Sequence, residues 1–338
     1  MKTYNVAVVG IGIVGKEMVK ILRERKFPIK SLKILATRKR TEEIAGEKFK
    51  VEKTTADSFK DMDIALFAGT EGAKGASRQF GWGAVEKGAL VIDNGDDFRM
   101  DARVPLIVPE VNPEALQKHQ GFISNPNCST IQLVMALFPL HQKARIKRVI
   151  VSTYQAVSGT GKAAVKELEK EAKDFLENRD TKPEIYPHQI AFNLFPQVGN
   201  LSKEYPGYYA EEVKFIRETR KILGEQDLAI SATCVRVPVF NAHSEAITVE
   251  FEEKMSPEDA KQMLRNSPGI KVIDEPEKFL YPTPFDVSGK DEVFVGRIRK
   301  NPLFPNSLDL WVVGDNIRKG AALNAIQIAE SLIKDSKN

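Results

Sequence analysis

Cys128 lies in Asn125-Pro126-Asn127-Cys128-Ser129-Thr130, directly before the apolar run Ile131 to Leu140, and a thiol so placed can serve as a nucleophile. Ser129 and Gln132 have the spacing of a capping box, which predicts a helix starting at Ser129 with its free amides and positive dipole end turned towards Cys128. A thiolate is stabilised in such a field. The segment alone fits a packed, inert cysteine equally well. A nucleophilic thiol also needs a base of near-neutral pKa, and His243, ahead of the strand-like run Ala246 to Phe251, is the candidate. Arg236, inside the β-like run Leu228 to Val239, requires a carboxylate or phosphate partner. Gln155 follows the run Val149 to Tyr154 and precedes Ser158-Gly159-Thr160-Gly161, a small-residue turn that would admit a cofactor closely and is otherwise an ordinary strand-to-helix loop. Cys128 with His243 describes a cysteine hydrolase as readily as an acyl-transfer oxidoreductase.

A glycine pattern separates the two. Gly10-Ile11-Gly12-Ile13-Val14-Gly15 follows the apolar run Val6 to Val9 and precedes Met18, Val19, Ile21 and Leu22 at helical spacing, which reads as strand, turn, helix. Glycines at 10, 12 and 15 let the backbone turn sharply and approach a pyrophosphate, whose charge the following helix N-terminus favours. An NAD site usually carries Asp or Glu about twenty residues further on to bind the ribose hydroxyls. Thr37-Arg38-Lys39-Arg40 stands there instead, and cations suit the 2′-phosphate of NADP, although a solvated charge run is the plain alternative. Hydrolysis has no use for a hydride carrier.

These residues need elements to hold them. Strand-like runs at Leu32 to Ala36, Ile64 to Ala68, Leu90 to Ile92 and Leu106 to Val108 alternate with helical or irregular segments, as a parallel α/β sheet demands. From Arg148 the pattern changes. Val149 to Tyr154 reads as a strand, and Lys162 to Glu177 and roughly Ala210 to Leu223 as helices. The runs Leu228 to Val239, Ala246 to Phe251, Val293 to Ile298 and Leu308 to Val313 read as longer, largely antiparallel strands. Ala322, Ala325, Ile326, Ala329, Leu332 and Ile333 mark an amphipathic C-terminal helix.

With 338 residues the chain suits two domains, and its net charge of +4 is spread over both signs. That distribution gives no case for nucleic acid or membrane partners and leaves small anionic ligands open. Cys128 and Cys234 are the only cysteines, too few for a disulfide framework and in keeping with a reducing compartment; Cys234, in a β-like run, reads as inert core. Lys2 followed by Val6 to Val14 has no A-x-A-like cleavage site, so no signal peptide is expected, and no apolar run reaches membrane-spanning length. A cytoplasmic protein without a metal site is the expectation.

Asp97-Phe98-Arg99-Met100, Val108-Pro109-Glu110-Val111-Asn112, Asn125 to Thr130, Gln155 with Ser158-Gly159, Glu211-Glu212-Val213-Lys214, Arg236 to Glu245, Val295-Gly296-Arg297 and Asp315 to Asn324 together resemble the aspartate-semialdehyde dehydrogenase family, nearly end to end. The resemblance implies an α/β fold: a Rossmann-type NADP-binding domain over residues 1–128 plus 315–338, and an α+β catalytic and dimerisation domain with a largely antiparallel sheet over 129–314. It implies NADPH-dependent reduction of β-aspartyl phosphate to aspartate β-semialdehyde and phosphate, on the route to lysine (through diaminopimelate), threonine and methionine. Cys128 would form the acyl-thioester. His243 would take the thiol proton and later protonate the collapsing hemithioacetal, Gln155 would orient the intermediate, and Arg236 would grip the substrate α-carboxylate. Arg99, Asn127 and Lys214 match the phosphate-binding set, with Glu211 as a supporting contact. Gly10, Gly12, Ile13, Val14, Gly15, Thr37, Arg38, Lys39, Ser158 and Gly159 match cofactor positions, with Asn316 near the nicotinamide.

The family assembles as homodimers or homotetramers, mainly through the sheet of the second domain. Two departures stand out: the glycine turn is one residue shorter than the family's usual Gly-Ala-Thr-Gly-x-Val-Gly, and Thr37 and Lys39 replace serines around Arg38. N-acetyl-γ-glutamyl-phosphate reductase is the nearest rival, and the Glu211 to Lys214 and Arg236 to His243 segments favour the aspartyl enzyme. A non-catalytic homologue would have no need of Cys128, Gln155, Arg236 and His243 together. Asp180 to Tyr209, rich in Pro and aromatics, reads as an irregular excursion at a subunit contact.

Overall fold

A computed structural model describes residues 2–69 and 75–335, so residues 1, 70–74 and 336–338 of the expected nucleotide domain lie outside the described residues. The chain divides into two compact units, Met1–Asn127 with Ala321–Asn338, and Cys128–Gly320.

The first unit runs β1 (Tyr4–Val9), α1 (Ile13–Glu24), β2 (Ile29–Ala36), β3 (Arg40–Ile44), β4 (Glu47–Lys53), β5 (Ile64–Phe67), α2 (Ala76–Glu86), β6 (Leu90–Asp93) and β7 (Phe122–Ser124). The sheet order is β3-β4-β2-β1-β5-β6-β7, parallel except for the β3–β4 hairpin. Both faces are covered, which is why its inner strands read as unbroken apolar runs. Val6 and Val8 of β1 pack into a cluster with Met18, Ile21 and Leu22 of α1 and Leu323, Ala325 and Ile326 of the C-terminal helix Leu323–Asp335. Ala7 and Val9, pointing the other way, join Phe59, Phe67 and Phe122.

Two details differ from the expected elements. Leu106–Val108 is no strand: only Leu106 bridges to Ser124. Pro105 and Pro109 flank the segment, and the Asn112 side chain takes two of its hydrogen bonds, accepting from the Val108 amide at 2.9 Å and donating to the Leu106 carbonyl at 2.9 Å. The β3–β4 hairpin was hidden by its charges, Glu42, Glu43, Glu47, Lys48 and Lys50. It turns at Ala45-Gly46 with φ of +50° and +83°, the backbone that a tight hairpin loop needs.

The second unit runs α3 (Cys128–Lys143), β8 (Ile146–Gln155), α4 (Lys162–Leu176), α5 (Ala210–Leu223), β9 (Ala229–Arg236), β10 (His243–Phe251), α6 (Pro257–Arg265), β11 (Ile270–Val272), α7 (Pro284–Val287), β12 (Val293–Lys300) and β13 (Ser307–Gly314). Its sheet, ordered β11-β12-β13-β10-β8-β9, is antiparallel through its centre and parallel at both margins. α3, α5 and α6 pack on this sheet, and α3 is buried nearly all round, as its continuous apolar sequence requires. The opposite face keeps Ile150 and Tyr154 exposed.

α3 starts at Cys128, one residue earlier than the expected Ser129. Gln132 does not close a capping box: its amide donates to Glu245 at 2.7 Å. Residues 315–320, assigned by the sequence reading to the nucleotide domain, group with the second unit, where Asp315 is fixed by the amides of Ile317, Arg318 and Gly289. The irregular segment after α4 is tied to it by buried carboxylates. Glu167 accepts from the amides of Glu184, Ile185 and Tyr186, and Glu171 from those of Ile190 and Ala191.

Candidate active site

Cys128 is partly exposed at the first position of a helix whose next residues are buried, so its sulfur meets the positive end of the dipole while remaining reachable. A Cβ on Gly320 would lie 2.9 Å from the Cys128 Cβ, so only glycine fits against Cys128 there. Cys234 is the opposite case. It is fully buried in β9, and burial pushes its thiol well above the usual range, which keeps it inert.

β8 ends on Gln155, and the next peptide joins two charged-group candidates. The Ala156 amide donates to His243 Nδ1 at 3.0 Å, and the Ala156 carbonyl accepts from Arg236 Nη1 at 2.6 Å. With Nδ1 accepting, the neutral imidazole carries its proton on Nε2. His243, first residue of β10, is fully buried. Burial, with the Arg236 guanidinium second, holds its pKa well below the usual histidine range. Its Nε2 and the Arg236 Nε are both buried without a hydrogen-bond partner among the described residues. Gly159 preserves the space beside them: a Cβ there would lie 3.3 Å from His243 Nε2 and 3.5 Å from Arg236 Nη1.

Gln155, also buried, donates to Thr153 Oγ1 at 3.3 Å. Ser158 and Asn316 belong to the same unit. Asn316 Nδ2 donates to Ser158 Oγ at 3.0 Å, and its Oδ1 accepts from the Ala242 amide at 3.0 Å, just before His243. Glu211 and Lys214, one turn apart on α5, form an ion pair at 3.7 Å.

The remaining predicted residues lie in the first unit. Gly10 has φ +94°, its amide donates to Leu35 at 2.8 Å, and a Cβ on Gly15 would overlap the Gly10 carbonyl. Gly12, exposed at the α1 N-cap, has open space where its Cβ would be, and no side chain among the described residues caps the start of α1. That cradle fits a diphosphate. Thr37, Arg38 and Lys39 are exposed where β2 ends, beside this turn. The nearby carboxylate of Glu42 is occupied by hydrogen bonds from Lys16 and Arg40, which hold its pKa down at about 2. Arg99 is buried, donating to the carbonyls of Asn125 at 3.0 Å and Asn94 at 2.7 Å; Asn127 is buried near it in sequence to Asn125.

The structure thus brings Gln155, Ser158, Gly159, Arg236, His243 and Asn316 together around Ala156, and groups the glycine turn with the Thr37–Lys39 cations. The sequence reading missed Ala156 because its contribution is all backbone. It also missed Gly320 and Glu245, although both lie inside quoted motifs.

Residues 5–119 match the family model described as semialdehyde dehydrogenase, NAD binding domain, and residues 137–319 match semialdehyde dehydrogenase, dimerisation domain. The chain is 48% identical to the aspartate-semialdehyde dehydrogenase of Aquifex aeolicus over 98% of each chain. Among solved structures it is similar to aspartate semialdehyde dehydrogenase II of Vibrio cholerae complexed with ASA, with TM-score 0.94, 39% identity and 99% of each chain covered. It is also similar to the enzyme of Candida albicans with NADP, with TM-score 0.74, 26% identity and 98% of each chain covered.

Proposed function

The chain belongs to the aspartate-semialdehyde dehydrogenase family, and from that premise we propose the part each side chain plays in its reaction. The protein is an oxidoreductase that converts β-aspartyl phosphate to aspartate β-semialdehyde and phosphate, using a nicotinamide cofactor. The observation that carries the assignment of roles is the pair of partnerless buried donors on either side of Ala156, Arg236 Nε and His243 Nε2, which an anionic or accepting ligand would satisfy.

Cys128 attacks the acyl carbon; the C–O bond to phosphate breaks, phosphate leaves, and an acyl-thioester remains. Arg99 and Lys214 would offset the leaving charge and Asn127 would bind the phosphate, with Glu211 paired to Lys214. Arg236 binds the α-carboxylate through its free Nε edge, a planar contact that Lys would make less well. Gln155 orients the acyl group. His243 meets the oxyanion with its Nε2 proton. For it also to take the thiol proton, as the sequence suggests, the ring must first release the Ala156 amide, so the resting geometry favours its donor half. The bound cofactor supplies the hydride that reduces the thioester.

Gly10, Gly12, Ile13, Val14 and Gly15 would hold the diphosphate, and Ser158, Gly159 and Asn316 the nicotinamide end. Thr37, Arg38 and Lys39 favour NADP, since among the described residues no free carboxylate sits at the end of β2 to receive a ribose hydroxyl. The route served is that to lysine, threonine and methionine. A homodimer through the open sheet face is supported by exposed Ile150 and Tyr154 and by the Tyr154–Trp311 ring contact of 5.5 Å beside them. Two cysteines, too few for a disulfide framework, support a reducing compartment, the cytoplasm, which cell fractionation would check.

The assay is simplest in reverse. Purified protein should reduce NADP with aspartate semialdehyde only when inorganic phosphate is added. Turnover without phosphate, or with N-acetylglutamate semialdehyde in its place, contradicts the reading.

A further inference from the structure

The buried pair Gln132–Glu245 has no part in the roles above, yet it joins the two elements that carry the reacting groups. Gln132 stands one helical turn after Cys128 on α3, on the same side of the helix. Glu245 stands two residues after His243 on β10, on the same face of the strand. Gln132 Nε2 donates to Glu245 Oε1 at 2.7 Å across 113 residues of chain. The other end of the amide is fixed by shape. A Cβ on Gly314 would lie 2.5 Å from Gln132 Oε1, and Gly314 is the residue of β13 in register with His243.

We infer that Gln132 and Glu245 are positioning residues, a strut that sets the nucleophile at the start of α3 against the imidazole at the start of β10. Buried side chains of this polarity are a poor choice for packing alone. Glu245 is completely buried, and its Oε2 has no hydrogen-bond partner among the described residues. Burial pushes its pKa well above the usual carboxylate value. An apolar pair of the same volume would spare that desolvation but would not fix a direction.

The inference rests on Cys128 being the nucleophile, and its test separates the two. Four variants, Gln132→Leu, Glu245→Leu, Glu245→Gln and the double Gln132→Leu/Glu245→Leu, are compared for kcat, KM, the rate of Cys128 alkylation by iodoacetamide, and melting temperature. The single leucine variants should lose roughly ten- to a hundred-fold in kcat with KM changed little, and alkylation should slow in parallel. Glu245→Gln keeps a carbonyl acceptor for Gln132 and should retain most of kcat. In the double variant no buried group is left unpaired, so the melting temperature should recover while kcat and alkylation stay low. Recovery of kcat together with stability would overturn the strut, as would a Glu245→Gln variant as impaired as Glu245→Leu. An active Cys128→Ser enzyme would instead overturn the nucleophile assignment and leave the strut without an object.

Discussion

At the scale of the residue, a candidate was legible wherever a side chain's own type suits the proposed chemistry. Cys128, His243, Arg236 and Gln155 could be picked out because thiol, imidazole, guanidinium and amide have few substitutes in acyl transfer. What escaped was the backbone that orients them: the Ala156 peptide holds His243 by its amide and Arg236 by its carbonyl, and alanine advertises neither bond. Glu245 escaped because its partner is 113 residues away. Arg38 gives a prediction at this scale. It is exposed at the end of β2, and in the proposed binding mode it would meet the 2′-phosphate that distinguishes NADP from NAD. Arg38→Ala should lower kcat/KM for NADPH by about ten- to a hundred-fold, the worth of one charge-assisted hydrogen bond, with little change for NADH. Equal losses for both cofactors in steady-state kinetics would contradict the assignment.

At the scale of the element, periodicity identified what burial imposes. β1, β5 and β6 were legible as apolar runs because both faces of their sheet are covered, and α4 and α5 because one face of each is. β3, β4 and β7 were not: the first two are charged on their open side, and the last has three residues. Leu106–Val108 shows the converse, a strand-like composition in which the Asn112 side chain takes the Val108 amide and the Leu106 carbonyl. The strand-turn-helix around Gly10 to Gly15 depends on one contact. Gly15→Ala would drive a methyl into the Gly10 carbonyl, and the turn or α1 must shift to receive it. Cofactor dissociation constants should rise about ten-fold or more, for NADPH and NADH alike, since the diphosphate is common to both. Unchanged binding by fluorescence titration would mean that the turn does not hold the diphosphate.

At the scale of the whole molecule, the two units and their sheet types followed from the change of pattern near Arg148, whereas the assignment of residues 315–320 did not, because Asp315 is held by bonds to residues distant in sequence. The open sheet face with Ile150 and Tyr154 has no signature in one strand read alone. It emerges only when β8, β10 and β13 lie side by side. Turnover too is a property of the assembled chain, and its first half can be isolated. Mixing enzyme with β-aspartyl phosphate in the absence of any nicotinamide cofactor should release phosphate stoichiometric with active sites in one rapid phase, and peptide mass spectrometry of the quenched protein should find the aspartyl group on Cys128. Cys128→Ser should show no such release. A wild-type protein that frees no phosphate until the cofactor is added, or that carries the acyl group on another residue, would contradict the thioester account.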